Sequence, residues 1–272
     1  MGFDLHIHST FSDGMLTPQE LIDDALRLGI RGLALTDHDT VSGIESAMEY
    51  AARRSYHLIP GIELNTEMGP HESHILGYFI DWKNDRLINR LNELKDSREQ
   101  RAIKMVSKLN SMGIDIKINR VRELAKGDLL GRPHVAQAMM EKGYVFSIKE
   151  AFEKYIGQGR PAYIPRYKFL PQEAIELIKT TGGITVLAHP GLFRNDVVVN
   201  EILDMGIEGI EVNYPEHSQE DTDRYLQMAL KRGLFVTGGS DYHGSGNDGR
   251  GKLGCCVTKD ETIADMMARL KR

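Results

Sequence analysis

Strand-like alternation and helix-period stretches succeed each other from the first residues. Phe3-Asp4-Leu5-His6-Ile7-His8 alternates as a half-buried strand does. Thr17-Pro18-Gln19-Glu20 then supplies an N-cap, a proline at the first helical position and a capping-box glutamate, and the helix closes at Gly29. A strand at 32–36, a helix at 43–54 and strands at 58–64 and 74–79 follow. The pattern resumes with a helix at 171–181, a strand at 183–187, a helix near 197–205 and a strand at 209–213. A helix near 219–232 and strands at 234–237 and 253–257 complete it. Such alternation predicts an α/β protein with a parallel sheet or barrel.

Between these blocks the period is helical. Leu87, Leu91, Leu94, Ala102, Met105 and Leu109 mark one long amphipathic helix ending at Gly113. Further helices are predicted near 133–142 and 147–156, the second opened by a Ser147/Glu150 capping box. The expected organisation is a barrel formed by 1–84 and 166–272, interrupted by an all-helical insertion at 85–165.

Composition narrows the class. The 272 residues are 41% hydrophobic and 27% charged, which excludes a disordered or fibrous chain. The net charge of -5 argues against a broad nucleic-acid surface held by charge alone, but not against a small anionic substrate. Lys95–Lys104 is charge-dense with mixed signs, as on a solvated helix face. The only cysteines, Cys255 and Cys256, are adjacent, so no disulfide framework is expected. No apolar run approaches the roughly 18 residues of a membrane span. With no signal-peptide core either, a cytoplasmic protein without an obligatory protein partner is expected.

The histidines decide the chemistry. His6 and His8 leave one face of a strand, about 7 Å apart. Asp13 follows in the Ser12-Asp13-Gly14 turn, and Thr36-Asp37-His38-Asp39 follows the second strand. Glu63 lies near the end of the third strand, His74 begins the fourth, and His189 follows the 183–187 strand. Asp241 and His243 sit in Ser240-Asp241-Tyr242-His243, after the 234–237 strand. Most of these positions fall at the strand ends where parallel barrels assemble their sites. One such histidine is more often a satisfied structural residue; six with three carboxylates, recurring at equivalent places, form a ligand set. Mixed imidazole and carboxylate ligands suit Mn, Fe or Zn, and nine candidates exceed what one ion takes.

These motifs, in this order, resemble the PHP (polymerase and histidinol phosphatase) phosphoesterases over essentially the whole chain. The resemblance implies a distorted (β/α)7 TIM-like barrel holding three divalent ions, with Mn²⁺ expected and Fe²⁺ or Zn²⁺ as alternatives. It places His6, His8, Glu63 and Asp241 on one ion, and Glu63, His74 and His189 on a second. Asp13, His38 and His243 go to the third. Gly131-Arg132-Pro133-His134 and Ala162-Tyr163-Ile164-Pro165-Arg166 are similar to the branch with nucleotide 3′,5′-bisphosphate phosphatases and 5′-to-3′ exoribonucleases. In that branch the insertion covers the barrel mouth and supplies phosphate-binding groups, which implies Arg132, His134 and Arg166 as substrate-binding residues. Arg132 also opens a predicted helix, where guanidinium and helix N-terminus can share one anion.

The implied activity is hydrolysis of phosphate monoesters of nucleotides, such as adenosine 3′,5′-bisphosphate, and of short RNA from its 5′ end, by a metal-activated hydroxide. Two alternatives stand beside it. One is a sugar cyclic-phosphate or histidinol-phosphate hydrolase; the other is a non-catalytic metal-binding module, disfavoured by the intact ligand set. The GxGxxG match at 244–249 and the near P-loop at 246–252 are set aside, because neither is followed by a predicted helix. His57, His71 and His217 lie off the motifs and are expected at the surface or in loops.

Overall fold

A computed structural model describes residues 2–125, 130–165, 167–244 and 251–271. Its elements run β1 (Phe3–Ile7), α1 (Pro18–Leu28), β2 (Gly32–Leu35), α2 (Ile44–Arg53), β3 (His57–Met68) and β4 (His71–Tyr78). Then come α3 (Asp85–Ser111), α4 (Ile118–Leu124), α5 (Arg132–Glu141) and α6 (Ile148–Ala151), which continues as a π-helical turn at Phe152–Ile156. The chain finishes with α7 (Pro171–Thr180), β5 (Ile184–Leu187), α8 (Asp196–Leu203), β6 (Gly209–Asn213), α9 (Gln219–Arg232), β7 (Phe235–Gly238) and α10 (Asp260–Leu270). The strands hydrogen-bond in sequence order as a nearly closed seven-stranded barrel. At the seam between β7 and β1, the His8 N–H donates to the Tyr242 carbonyl at 2.9 Å, and Phe3 exchanges backbone bonds with Thr258 at 2.9 and 2.7 Å.

The expected parallel sheet or barrel needs one correction. Only Gly69 and Pro70 separate β3 from β4, too few for a crossover, so the two form a hairpin. β4 is antiparallel to both β3 and β5, whereas the other pairs are parallel. A second correction concerns 253–257, which is turn and bend rather than strand. Gly254 takes a left-handed φ of 76° and donates its N–H to Asp4 at 2.8 Å, which turns the chain before only Thr258 pairs. Helices α4 and α10 complete the pattern and are absent from the sequence-based expectation.

Two compact units result, one of residues 1–88 and 169–272, the other of residues 89–168. Barrel residues including Leu5, Ala34, Leu76, Tyr78, Ile184 and Val186 pack as one apolar cluster. The helical unit has its own core, built on Val106, Leu109, Ile116, Val121, Val135 and Met139. Each core satisfies the requirement that an amphipathic element bury its apolar face. Two irregularities bear on the site. The pairing register shifts between Asp4 and Ile7 in β1, and between Glu211 and Asn213 in β6. Such bulges re-aim side chains, here next to His6 and Glu211.

Candidate metal centre

Each predicted ligand reaches the site by a local device. β1 delivers His6, and His8 follows just after the strand; both are fully buried, with ring centroids 5.2 Å apart. The loop carrying Asp13 is tied down by the Asp37 carboxylate, which accepts from the Ser9 N–H (2.7 Å), Ser9 Oγ (2.7 Å) and Ser12 Oγ (2.6 Å). His38 leaves β2 in a bridge with Glu63 of β3, and Asp39 accepts from Asn65 N and Nδ2, both at 2.9 Å. His74 stands early in its strand because β4 runs backwards, so its first half lies beside the outgoing end of β3. His189 and Asp241 follow β5 and β7 with positive φ values of 28° and 51°. Non-glycine residues in such conformations cost about 1–3 kcal/mol each and persist where the surroundings over-determine them. Gly239, beside β1, is needed for close approach, since a Cβ there would sit 2.3 Å from the His6 Cβ.

All nine predicted residues converge, and Glu63 is their hub. Its Oε2 lies 3.2 Å from His6 Nε2, 3.2 Å from His8 Nε2 and 3.0 Å from His38 Nδ1. Its Oε1 lies 2.7 Å from His74 Nδ1 and 3.1 Å from His189 Nε2. Asp241 Oδ1 is 3.4 Å from His6 Nε2 and 3.1 Å from His8 Nε2. Asp13 Oδ1 is 3.1 Å from His243 Nε2, and Asp13 Oδ2 is 4.0 Å from His38 Nε2. Among the described residues three groups present ligand atoms within 4.8 Å of one another. They are His6/His8/Glu63/Asp241, His8/Asp13/His38/His243, and His38/Glu63/His74.

The donor set fits divalent cations on a direct structural criterion. Buried atoms without a hydrogen-bond partner include His6 Nε2, both nitrogens of His8, Glu63 Oε2, His74 Nε2, His189 Nδ1 and His243 Nε2. A buried polar atom left unpaired costs about 1–3 kcal/mol, and coordination to a divalent cation would satisfy such a group of imidazole nitrogens and a carboxylate oxygen. The electrostatics agree. Burial alone pulls His6, His8 and His74 down, but neighbouring carboxylates win: His6 is held well above its ordinary value, His8 at about 9 and His74 at about 10. Burial would likewise raise Glu63, Asp241 and Asp13, yet the surrounding imidazoles hold all three below the usual carboxylate range. A divalent cation would compete with protons for these nitrogens and oxygens.

The structure adds groups that motif spacing did not reveal. Glu211, fully buried, lies 3.1 Å from His6 Nδ1 and accepts the His189 N–H at 2.8 Å. A glutamate between Ile210 and Val212 in the strand Gly209–Asn213 was the available signal. Such outer carboxylates orient imidazoles and fix their tautomer. Tyr214 donates its hydroxyl to Asp241 Oδ2 at 2.9 Å, leaving Oδ1 to face His6 and His8. Asp4 takes Ser240 N and Oγ at 2.9 and 2.6 Å, anchoring the segment that carries Asp241, and burial pushes its carboxyl up to about 6.

Other expectations fare differently. Arg132 opens α5 with its guanidinium 5.0 Å from the Phe152 ring centre, and His134 Nδ1 accepts the Gly131 N–H at 3.1 Å, a helix-capping bond. Arg166 lies outside the described residues, as does the 245–250 part of the glycine-rich match. His57 is exposed and His71 pairs with Met68 at the hairpin end. His217 is no free surface residue: it is half-buried and engaged at both nitrogens, Nδ1 with Val212 O and Nε2 with Gly191 N.

Comparison with known proteins follows the same lines. The chain matches the PHP domain over residues 4–236. It is 35% identical over 253 residues to the 3',5'-nucleoside bisphosphate phosphatase of Chromobacterium violaceum, covering 91% of this chain and 89% of that protein. It is 32% identical over 248 residues to the 5'-3' exoribonuclease Rnm of Escherichia coli, covering 89% and 85%. A solved structure from Bifidobacterium adolescentis, classed as a metal-dependent phosphoesterase, superposes with a TM-score of 0.84 at 31% identity, covering 99% of this chain and 96% of that one. Among the described residues, no helix is long and apolar enough to cross a membrane.

Proposed function

The chain belongs to the PHP domain family, and from this membership and the centre around Glu63 we propose a metal-dependent phosphoesterase that releases phosphate from nucleotides carrying phosphate monoesters. Adenosine 3′,5′-bisphosphate is the type substrate, and short RNA is attacked from its 5′ end. The observation that carries the reading is the gathering of imidazole and carboxylate ligand atoms within 4.8 Å of one another in three overlapping groups, several of those atoms buried and unpaired. Similarity to a nucleoside bisphosphate phosphatase and to an exoribonuclease supports the substrate class.

Three divalent ions, Mn²⁺ in the first instance, are assigned as follows. His6, His8, Glu63 and Asp241 hold one; Glu63, His74 and His189 hold a second; Asp13, His38 and His243 hold the third. When bound, the ions lower the pKa of water and neutralise phosphoryl oxygens as charge builds on the leaving oxygen. The protein's part is preorganisation. Glu211 accepts the His6 Nδ1 proton and so aims the Nε2 lone pair at the centre. Tyr214 fixes one oxygen of Asp241 and leaves the other for ligation. Bound divalent ions also reverse the sign of a site that is rich in carboxylates, so a net charge of -5 is no obstacle to an anionic substrate. Substrate-binding roles for Arg132, His134 and Arg166, and a cytoplasmic location, belong to this proposal.

The deciding assay, run in Mn²⁺, measures phosphate release from adenosine 3′,5′-bisphosphate, mononucleotide release from a 5′-phosphorylated short RNA, ring opening of a cyclic sugar phosphate and phosphate release from histidinol phosphate. Turnover of the first two, with metal bound, is the expected result. Activity confined to the last two would replace the substrate assignment, and no turnover with metals bound would overturn the hydrolase.

A further inference from the structure

His217 stands outside every ligand motif, yet it joins the two backbone segments that set His189. Its Nδ1 is 2.9 Å from the Val212 carbonyl oxygen, and its Nε2 accepts the Gly191 N–H at 3.1 Å. A carbonyl can only accept and an amide N–H can only donate, so the ring must carry its proton on Nδ1 and a lone pair on Nε2. Gly191 lies two residues beyond His189 in the 3-10 turn Pro190–Phe193, which His189 enters at φ 28°. The ring is pressed against that turn, since a Cβ on Gly191 would come within 2.6 Å of His217 Cδ2. On the other side, Val212 adjoins Glu211, whose carboxylate receives the His189 N–H at 2.8 Å. Tyr214 lies between the two histidines, its ring tilted against both, with its centre 5.3 Å from His189 and 5.2 Å from His217. Burial keeps His217 below its ordinary pKa, so the neutral ring that this clamp requires is the favoured one.

We propose that His217 is a positioning residue for the metal centre: by clamping the Gly191 amide to the Val212 carbonyl, it holds the Pro190 turn and thereby the strained His189 in the pose that faces Glu63. It touches neither substrate nor ion and acts through Gly191 and His189. The inference rests on the reading of His189 as a metal ligand.

Three variants separate the possibilities, with Mn²⁺ affinity measured by calorimetry and folding by thermal denaturation. His217→Asn keeps a donor for Val212 but has no acceptor that reaches Gly191. His217→Gln places an amide oxygen where Nε2 stood. His189→Ala removes the proposed ligand itself. The expected result is about a tenfold loss of Mn²⁺ affinity in His217→Asn, the usual scale for an outer-sphere partner, with recovery in His217→Gln and a deeper loss in His189→Ala. Wild-type affinity in folded His217→Asn, beside a loss in His189→Ala, overturns the clamp and leaves the metal centre standing. Wild-type affinity in His189→Ala overturns the reading beneath it. Should His217→Asn not fold, the wild-type protein still decides. A neutral Nδ1-protonated His217 in ¹⁵N spectra with a slowly exchanging Gly191 amide supports the clamp. The Nε2-protonated tautomer, or fast exchange at Gly191, refutes it.

Discussion

The barrel centre and the helical unit use burial in opposite ways. Among the described residues of the helical unit the buried interior is apolar, from Val106 and Leu109 to Val135 and Met139. Its charges are paired at the surface, as in Arg120 with Glu141 and Glu123, or Arg122 with Glu99. In the barrel, His6, His8 and Glu63 are fully buried, and atoms of all three lack hydrogen-bond partners. A unit of the first kind is complete as an apolar core. One of the second kind holds buried ionisable groups that must be paired or coordinated, a donor set suited to divalent cations.

The sharpest way to break this contrast is Glu63→Gln, which removes charge from the hub while keeping its shape. Phosphate release is expected to fall to background, with at least one ion lost per chain by elemental analysis. Full activity would dissolve the distinction. Leu109→Ala, in the fully buried helical core, should do the reverse. It is expected to cost about 2–5 kcal/mol in urea unfolding with the ion count unchanged. Glu211→Gln probes the layer behind the ligands and should lower Mn²⁺ affinity by about 10–100-fold, read by calorimetry.

Acidity sharpens the comparison further. His8 and His74, at about 9 and about 10 against an ordinary 6.5, stabilise the metal-free fold fully below pH 6.5 and lose that contribution as the pH rises through those values. Glu63 and Asp241, held down, contribute above their ordinary 4.5 and 3.8 and lose it as the pH falls towards their depressed values. Chelated protein should thus show a falling Tm from neutral to alkaline pH, whereas Mn²⁺ affinity climbs over the same interval as protons leave the ligands. A flat Tm profile in chelator would count against the assigned imidazole–carboxylate pairs. The smallest effect belongs to Arg120→Ala. Its pairs with Glu123 and Glu141 are solvent-exposed, so neither Tm nor activity should move measurably.

Much of the fold was legible because local signals agreed with one another. Thr17, Pro18, Glu20 and Gly29 delimit α1 as their capping chemistry predicts. β6 and α9 occupy the expected residues. α4 escaped because it is a seven-residue helix with no side-chain cap. The reversal of β4 depends on a two-residue connection whose consequence appears only when neighbouring strands are paired. In the centre, the motifs pointed to all nine residues that the structure brings together, whereas Glu211, Tyr214 and His217 carry no motif. Their roles come from partners far away in the chain: His6 for Glu211, Asp241 for Tyr214 and Gly191 for His217.

By itself the sequence determined which residue types recur at strand ends, and so the class of chemistry, because periodicity and capping act over a few neighbouring residues. Only the tertiary structure decided that Glu63 is the hub of the cluster. It alone shows that β4 runs backwards beside β3, and that Glu211 meets His6 Nδ1 while His217 meets the Gly191 amide. Those are contacts across the barrel, and they exist only once the sheet curls and brings distant strands to one mouth.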